Sequence, residues 1–126
     1  MSDTIAAMSW VVSNGDLPGV VSMSLGGGYS AEENEYVTDL YDAGFVVVVA
    51  AGNDNDDACN YSPASAADAI TVGSSTINDE ASYFSNYGTC NDIYAPGSNI
   101  YSVTTGGGYE EMSGTSMACP HVSGVA

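Results

Sequence analysis

The chain has 126 residues, of which 44% are hydrophobic, so it can form one small domain or part of a larger one. It contains 16 Asp and Glu residues, no Lys and no Arg, which gives a formal net charge of −16 at pH 7. Such a surface repels nucleic acid and anionic membranes, and no apolar run approaches the roughly 18 residues of a membrane span. We therefore expect neither nucleic acid nor a membrane as a partner.

Apolar periodicity and chain breakers predict alternating helices and strands. In chain order we expect a helix over 5–12 capped by Asp3 or Thr4, a strand over 19–25, a helix over 31–43 that Ser30 begins and Gly44 ends, a strand over 45–50, short strands over 69–72, 92–94 and 100–103, a turn at 106–108, and a final helix near residue 116. The almost wholly apolar stretch 45–50 is typical of a strand buried on both faces. This order predicts an α/β fold with three layers, in which helices cover both faces of a mostly parallel sheet.

Two polar residues lie where such a fold gathers functional groups. Ser116 is at the expected start of the last helix, where backbone N–H groups and the helix dipole favour developing negative charge. Asn53 follows the strand over 45–50, and an amide at a strand end can donate to an oxyanion. Taken singly, each has a simpler explanation, because serine is a common helix N-cap and asparagine a common turn residue after glycine.

The three cysteines cannot all pair within the chain. Cys59 and Cys90 lie in polar, loop-like segments, whereas Cys119 lies in the expected last helix and reads as a buried, small apolar residue. One disulfide with one buried thiol would suit an exported protein, and three reduced thiols are the alternative.

Six short motifs together resemble one protein family. They are Ser24-Leu25-Gly26-Gly27, Ala50-Ala51-Gly52-Asn53, Asn60-Tyr61-Ser62-Pro63-Ala64, Phe84-Ser85-Asn86-Tyr87-Gly88, Ala95-Pro96-Gly97 and Gly114-Thr115-Ser116-Met117-Ala118. Their order and spacing are similar to those of the subtilisin-like serine proteases, the subtilases, and most similar to the proteinase K branch with its aqualysin-like bacterial enzymes. The resemblance covers essentially the whole chain.

The resemblance implies a serine endopeptidase that forms an acyl-enzyme on Ser116. Asn53 would supply the side-chain donor of the oxyanion hole, with the backbone N–H of Ser116 as its partner. The residues that would bind substrate are Ser24, Leu25 and Gly26, which would pair with an extended peptide, and Ala50, Ala51 and Gly52, which would line the pocket for the side chain before the scissile bond. The small pocket residues would leave room for apolar or aromatic groups.

The resemblance also implies structural features of the parent protein. Cys59 and Cys90 match two cysteines that are bridged in aqualysin-like members. Asp92, with the carbonyl oxygens of Ala67 and Ala69, matches a calcium site of this branch, and oxygen ligands suit calcium. No cofactor is expected for catalysis. The parent is expected to be a secreted, monomeric enzyme that acts on polypeptides, although no signal peptide is visible in this chain.

His121 is the only histidine, and it cannot easily serve as the general base. It lies five residues after Ser116, about 7.5 Å further along a helix axis and well round the cylinder. In the family the catalytic Asp and His precede the serine, outside this sequence. We therefore expect residues 1–126 to be the C-terminal half of a catalytic domain, truncated within the serine-bearing helix and essentially inactive alone.

Other classes of function fit parts of the sequence. The segment Gly26-Gly27-Gly28-Tyr29-Ser30-Ala31 fits the G-x-G-x-x-A pattern of dinucleotide-binding domains, with Asp54 or Asp56 near the ribose-binding offset. A non-catalytic acidic fragment or binding module is a further alternative. An α/β-hydrolase is excluded, because the residues around Ser116 do not form the G-x-S-x-G elbow.

Overall fold

The computed structural model describes residues 2–126, and Met1 lies outside the described residues. The α-helices are Asp3–Asn14 (α1), Ala31–Asp42 (α2) and Thr115–Ser123 (α3), and a short 3-10 helix spans Ala58–Asn60. The strands are Val20–Met23 (β1), Gly27–Gly28 (β2), Val46–Ala50 (β3), Tyr61–Ser62 (β4), Ile70–Ser75 (β5), Ile93–Pro96 (β6), Ile100–Thr104 (β7) and Gly108–Met112 (β8). None of the helices within residues 2–126 is both long and apolar enough to cross a bilayer.

A four-stranded parallel sheet forms the centre of the molecule, with the strand order β1-β3-β5-β6. Its strand β3 is buried because both of its faces are covered. Val47 and Val49 pack with α1 and α2 in one apolar cluster, whereas Val48 packs with α3 in a second cluster on the opposite face. The predicted three-layer α/β fold with a mainly parallel sheet is therefore confirmed.

Two small antiparallel pairs flank this sheet. Strand β2 pairs with β4, and β7 and β8 form a hairpin around the turn predicted at 106–108. Strands β2, β4 and β8 were not predicted from the sequence. The first two have only two residues each, and β8 is exposed along nearly its whole length, so no apolar alternation marks any of them.

The N-cap of α2 is the predicted one, whereas the N-cap of α1 is not. Ser30 caps α2 as predicted, and its hydroxyl accepts a hydrogen bond from the Glu33 N–H at 3.2 Å. The prediction of Asp3 or Thr4 as the cap of α1 was wrong, because Ser2 accepts the Ile5 N–H at 3.2 Å and Asp3 is the first helical residue. A hydroxyl three residues before a free N–H is the geometry that a cap requires.

Candidate active site

The candidate site lies where β1 and β3 end and α3 begins. The register aligns Met23 with Val49, so the segments that follow the two strands run side by side. Ser116 is the second residue of α3 and is half-buried beside these segments. Its hydroxyl donates to the carbonyl oxygen of Ser24 at 3.2 Å, and the Ser24 hydroxyl donates to the carbonyl oxygen of Ser116 at 2.9 Å.

The side-chain amide of Asn53 is held in one orientation by Thr115. Its Oδ1 accepts the Thr115 backbone N–H at 2.8 Å and the Thr115 hydroxyl at 2.9 Å. The same hydroxyl oxygen accepts the Gly52 N–H at 3.2 Å. Because the N–H and the hydroxyl of Thr115 both donate to Asn53 Oδ1, the Nδ2 group of Asn53 points away from Thr115 and remains available to a ligand.

The loop over 51–56, which carries Asn53, is held by the side chain of Asn86, which is fully buried. Asn86 Oδ1 accepts the backbone N–H groups of Asp54 at 2.9 Å and Asp56 at 3.1 Å, and Nδ2 donates to the Ala51 carbonyl at 2.9 Å. Gly52 has a φ of +103°, and a Cβ there would collide with the Asn86 amide. A side chain at residue 52 would therefore disturb this loop twice over, through backbone strain and through overlap.

Sequence reasoning assigned no role to Thr115 or Asn86. Both residues stand in the motifs that carry the family resemblance, and that was the only signal available for them. Their partners lie 62 and about 30 residues away in the chain, so their contacts could not be read from local patterns.

A cavity of about 340 Å³ opens beside Ser116 and Asn53. Five of the six residues predicted to bind substrate line it, namely Leu25, Gly26, Ala50, Ala51 and Gly52. The sixth, Ser24, does not line the cavity but is hydrogen-bonded to Ser116. Asp54 and Tyr61 also line the cavity, and neither was predicted to do so.

Two groups next to the cavity have shifted pKa values, Asp56 and Tyr61. Hydrogen bonds from the Asp57 N–H and the Asn60 amide, and then from the Tyr61 hydroxyl, lower the pKa of Asp56 although partial desolvation opposes them. Desolvation, followed by the negative charges of Asp54 and Asp56, raises the pKa of Tyr61. This side of the site therefore carries the negative charges of Asp54 and Asp56 next to the neutral phenol of Tyr61.

His121 is hydrogen-bonded within its own helix rather than to the serine. Its Nδ1 lies 2.8 Å from the Met117 carbonyl oxygen, and the side chain is exposed. This placement agrees with the expectation that His121 does not serve Ser116 as a base.

The structure joins Cys59 to Cys90 by a disulfide, as the resemblance implied, and leaves Cys119 as a buried free thiol. The bond connects the short 3-10 helix to the segment just after Asn86. It therefore links the chain shortly after the 51–56 loop, which Asn86 holds by hydrogen bonds, to the chain shortly after Asn86 itself.

The residues predicted to bind calcium lie around the starts of β5 and β6. The exposed Asp92 carboxylate accepts the Thr71 N–H through Oδ2 at 2.8 Å, and Ala69 directly precedes β5. Within residues 2–126, no three His, Cys, Asp or Glu side chains gather in a way that could hold a metal ion. The predicted set contains one carboxylate and two backbone carbonyls, so that search does not bear on it and calcium binding stays a prediction.

The fold and the site narrow the class of protein. The α/β layers place a serine at a helix start and an oriented amide beside a cleft, and serine hydrolases use the same arrangement. A family profile described as "Subtilase family" matches residues 1–126. The chain belongs to the subtilase family.

Individual relatives agree with this assignment. Alkaline serine exoprotease A of Vibrio alginolyticus is 52% identical over 125 residues, which cover 99% of this chain and 23% of that protein. Subtilisin-like protease 4 of Trichophyton rubrum is 53% identical over 129 residues, which cover 98% of this chain and 32% of that protein. The crystal structure of a cold adapted subtilisin-like serine proteinase matches with a TM-score of 0.94 and 48% identity, over 99% of this chain and 47% of that one. The chain thus spans 23% and 32% of the lengths of these two curated relatives.

The dinucleotide-binding alternative is wrong. The family match covers the whole chain, and Gly27 and Gly28 of the proposed phosphate loop form β2, which pairs with β4. Glu32 and Glu33 occupy the first turn of α2, where a pyrophosphate would have to sit, and their charges would repel it.

Proposed function

We propose that this chain is the serine-bearing part of a serine endopeptidase domain and that Ser116 attacks the carbonyl carbon of a polypeptide substrate. The oxyanion formed in that step would be stabilised by Asn53 Nδ2 and the Ser116 backbone N–H. The observation that carries this proposal is the fixed Asn53 amide, whose Oδ1 is occupied by Thr115 while Nδ2 stays available beside the serine. A donor oriented before the reaction requires no reorganisation when charge develops.

The substrate backbone would lie along Ser24, Leu25 and Gly26, beyond the end of β1. The side chain before the scissile bond would enter the cavity lined by Ala50, Ala51 and Gly52. Attack by Ser116 would give a tetrahedral intermediate, expulsion of the amine would give the acyl-enzyme, and water would then release the acid.

Proton transfer requires a group that this chain does not place at the serine. The Ser116 hydroxyl donates to the Ser24 carbonyl, and an amide carbonyl cannot act as a general base at neutral pH. We propose that the base and its orienting carboxylate belong to another part of the parent protein. The 126-residue chain alone would then be essentially inactive.

The test uses the longest gene product that contains this sequence, assayed on a peptide amide and with a fluorophosphonate label. Ser116→Ala should abolish both signals, and Asn53→Ala should lower kcat by about 10²–10³ with little change in KM. Ser13→Ala is the control, because Ser13 is an exposed residue of α1 on the far side of the sheet. Hydrolysis that survives Ser116→Ala contradicts the proposal, and rapid labelling of the isolated chain contradicts its inactivity.

A structural calcium ion is proposed at Asp92 with the carbonyl oxygens of Ala67 and Ala69. The support is the chemistry of these donors, which are hard oxygens near the starts of two neighbouring strands. Bound calcium would neutralise charge and hold the segments together, with no part in the reaction. Calcium should raise the Tm of the chain more than that of Asp92→Asn, whereas Asp16→Asn, with the same change of charge, should respond like the unaltered chain.

The disulfide supports an extracellular location for the parent, because such bonds persist in oxidising compartments. The charge of −16 supports the absence of nucleic acid and anionic membranes from its partners. We propose a monomeric parent enzyme on the resemblance alone.

A further inference from the structure

Three serine hydroxyls form a hydrogen-bonded chain in the interior, away from the cavity beside the candidate nucleophile. Ser74 lies in β5, Ser82 in the segment between β5 and β6, and Ser98 just after β6. Ser82 Oγ lies 2.7 Å from Ser74 Oγ and 2.6 Å from Ser98 Oγ. Ser74 is fully buried and Ser82 is 3% exposed. Hydroxyls removed from water need partners, and these three supply one another.

One end of this chain leads to the loop that carries Asn53. The Ser74 backbone N–H donates to Ser85 Oγ at 2.9 Å, and the Ser85 hydroxyl donates to the Asn86 carbonyl at 2.9 Å. The Asn86 side chain in turn holds the backbone of the loop over 51–56. Ser74, Ser85 and Asn86 therefore form a continuous connection to the loop, which we call the loop arm.

The other end leads to the start of α3. The N–H groups of Gly97 and Ser98 both donate to the Ser75 carbonyl, at 3.0 Å and 3.3 Å. The Gly97 carbonyl accepts the N–H of Gly114, the N-cap of α3, at 2.8 Å. Ser116 is the second residue of that helix. Ser98, Gly97 and Gly114 therefore form a connection to the helix start, which we call the helix arm.

Ser82 is the junction of the two arms. Its hydroxyl bonds to Ser74 of the loop arm and to Ser98 of the helix arm. Its backbone N–H donates to the Ser74 carbonyl at 2.8 Å, and its carbonyl accepts the Ser85 N–H at 2.9 Å. A hydroxyl donates one hydrogen bond and accepts up to two, so Ser82 can donate to one serine and accept from the other. Removal of this single hydroxyl breaks the side-chain link between the arms.

We infer that Ser82 is a positioning residue, which fixes the placement of the Asn53 loop relative to the start of α3. The inference rests on the proposed function, in which one oxyanion donor belongs to that loop and the other to the backbone of Ser116. Thr115 joins the loop to the helix directly, but a single point of contact leaves the two elements free to pivot about it. The link through Ser82 is a second point of attachment. Donors that stabilise an oxyanion need their relative position fixed before charge develops.

The kinetic test uses Ser82→Ala in the longest gene product that contains this sequence, assayed on a peptide amide. We expect kcat to fall about tenfold while KM stays within about twofold, because substrate contacts are kept and the placement of the oxyanion donors is loosened. An unchanged kcat, or a loss that lies in KM alone, would overturn the inference.

A second variant tests whether the effect travels through the hydroxyl chain. Ser98→Ala breaks one of the two bonds that Ser82→Ala breaks, so the double variant should behave like Ser82→Ala alone. Losses in kcat that multiply would overturn the inference. Ile5→Val is the stability control, because Ile5 lies in the apolar cluster on the face of the sheet opposite α3. It should lower stability and leave kcat unchanged.

Amide hydrogen exchange on the 126-residue chain tests the coupling without catalysis. In Ser82→Ala, the Asp54 N–H, which Asn86 holds, and the Gly114 N–H, which Gly97 holds, should both exchange about tenfold faster. The Leu40 N–H in α2 should accelerate less, because it lies on neither arm. Ser98→Ala should give the same pattern, and it serves if Ser82→Ala fails to fold. Acceleration confined to one arm, or equal to that at Leu40, would overturn the inference.

Failure of this inference can be told apart from failure of the proposed function. Hydrolysis that survives Ser116→Ala would sink the proposed function, and the exchange pattern would still report whether Ser82 couples the two arms. Hydrolysis that depends on Ser116 but is unaffected by Ser82→Ala would sink the positioning role alone.

Discussion

At the scale of single residues, Asn86 connects two parts of the structure that the sequence separates. Its amide satisfies three backbone groups of the loop over 51–56, and its own backbone N–H donates to the Gly52 carbonyl at 2.9 Å. Asn53 lies in the middle of that loop. The direction of the Asn53 amide therefore depends on Asn86, which holds the backbone of the loop, and on Thr115, which donates to the amide oxygen.

Asn86→Ala should destabilise the chain by about 3–5 kcal/mol, because it leaves buried backbone donors and an acceptor unpaired and opens a cavity. Asn86→Asp should also destabilise it, since a buried carboxylate would face the Ala51 carbonyl. Denaturant unfolding measures both effects. Asn78→Ala is the control, because Asn78 is exposed, and a loss in Asn86→Ala no larger than in this control would contradict the prediction.

The lowered pKa of Asp56 predicts that the stability of the folded chain falls in acid. Its pKa in the folded chain is lowered by hydrogen bonds from Asp57, Asn60 and Tyr61, so its ionised form favours folding. That contribution is complete above the ordinary carboxyl pKa of about 3.9 and is lost as the pH falls through the lower folded value. Asp56→Asn should thus have a lower Tm than Asp16→Asn at neutral pH, and the two variants should converge in acid. A constant gap across the pH range would show that the ionised form is not the source.

The sequence identified the residues that carry the proposed chemistry more readily than those that orient them. Ser116 was predicted because it lies at the start of a recognisable helix and Asn53 because it follows a recognisable strand, and the family motifs assigned their roles. Thr115 and Asn86 act through contacts with residues far away in the chain. No local pattern encodes such contacts.

At the scale of elements, the start of α3 is held by close backbone packing. The Gly114 N–H donates to the Gly97 carbonyl at 2.8 Å, which ties the helix start to the segment after β6. A Cβ on Gly97 would lie 2.7 Å from the Gly114 carbonyl oxygen and would also overlap Ser74. The Ala-Pro-Gly motif therefore fixes where the helix that carries Ser116 begins.

Gly97→Ala should destabilise the chain by about 1–3 kcal/mol, because backbone has to move to accept the methyl group. Gly28→Ala is the matched control, since a Cβ there meets nothing within 4 Å and its φ is not positive. Denaturant midpoints compare the two variants. Equal midpoints would mean that the segment around Gly97 yields without cost and does not fix α3.

Burial explains which elements the sequence could predict. Strand β3 was predicted because it is covered on both faces and must be apolar throughout, and α2 because its buried Val37 and Leu40 lie on one face beneath an acidic surface. Strand β8 was missed because only its first residue is partly buried. An exposed strand need not alternate apolar and polar side chains, so its sequence carries no strand pattern.

At the scale of the whole molecule, the hairpin of β7 and β8 exposes unusual apolar surface. Tyr101 and Tyr109 stack on each other at 5.5 Å while remaining 70% and 66% exposed, and Val103 is 72% exposed. These side chains supply area that a larger domain could bury. This supports the proposal that residues 1–126 form part of a catalytic domain, since the matched crystal structure has about twice the length of this chain.

The absence of Lys and Arg makes the stability of the whole chain depend on dissolved cations. Sixteen carboxylates repel one another with no internal basic side chain to offset them, so added salt should raise the Tm steadily until the screening length falls to about 3 Å near 1 M. We expect NaCl to raise the Tm more than uncharged sucrose of equal osmolarity does, because sucrose does not screen charge. Acidifying to about pH 4 should shrink the response to salt, since fewer carboxylates are then ionised. A Tm that stays flat from low to molar NaCl, or one that sucrose raises equally, would show that self-repulsion is not what limits the stability of this chain.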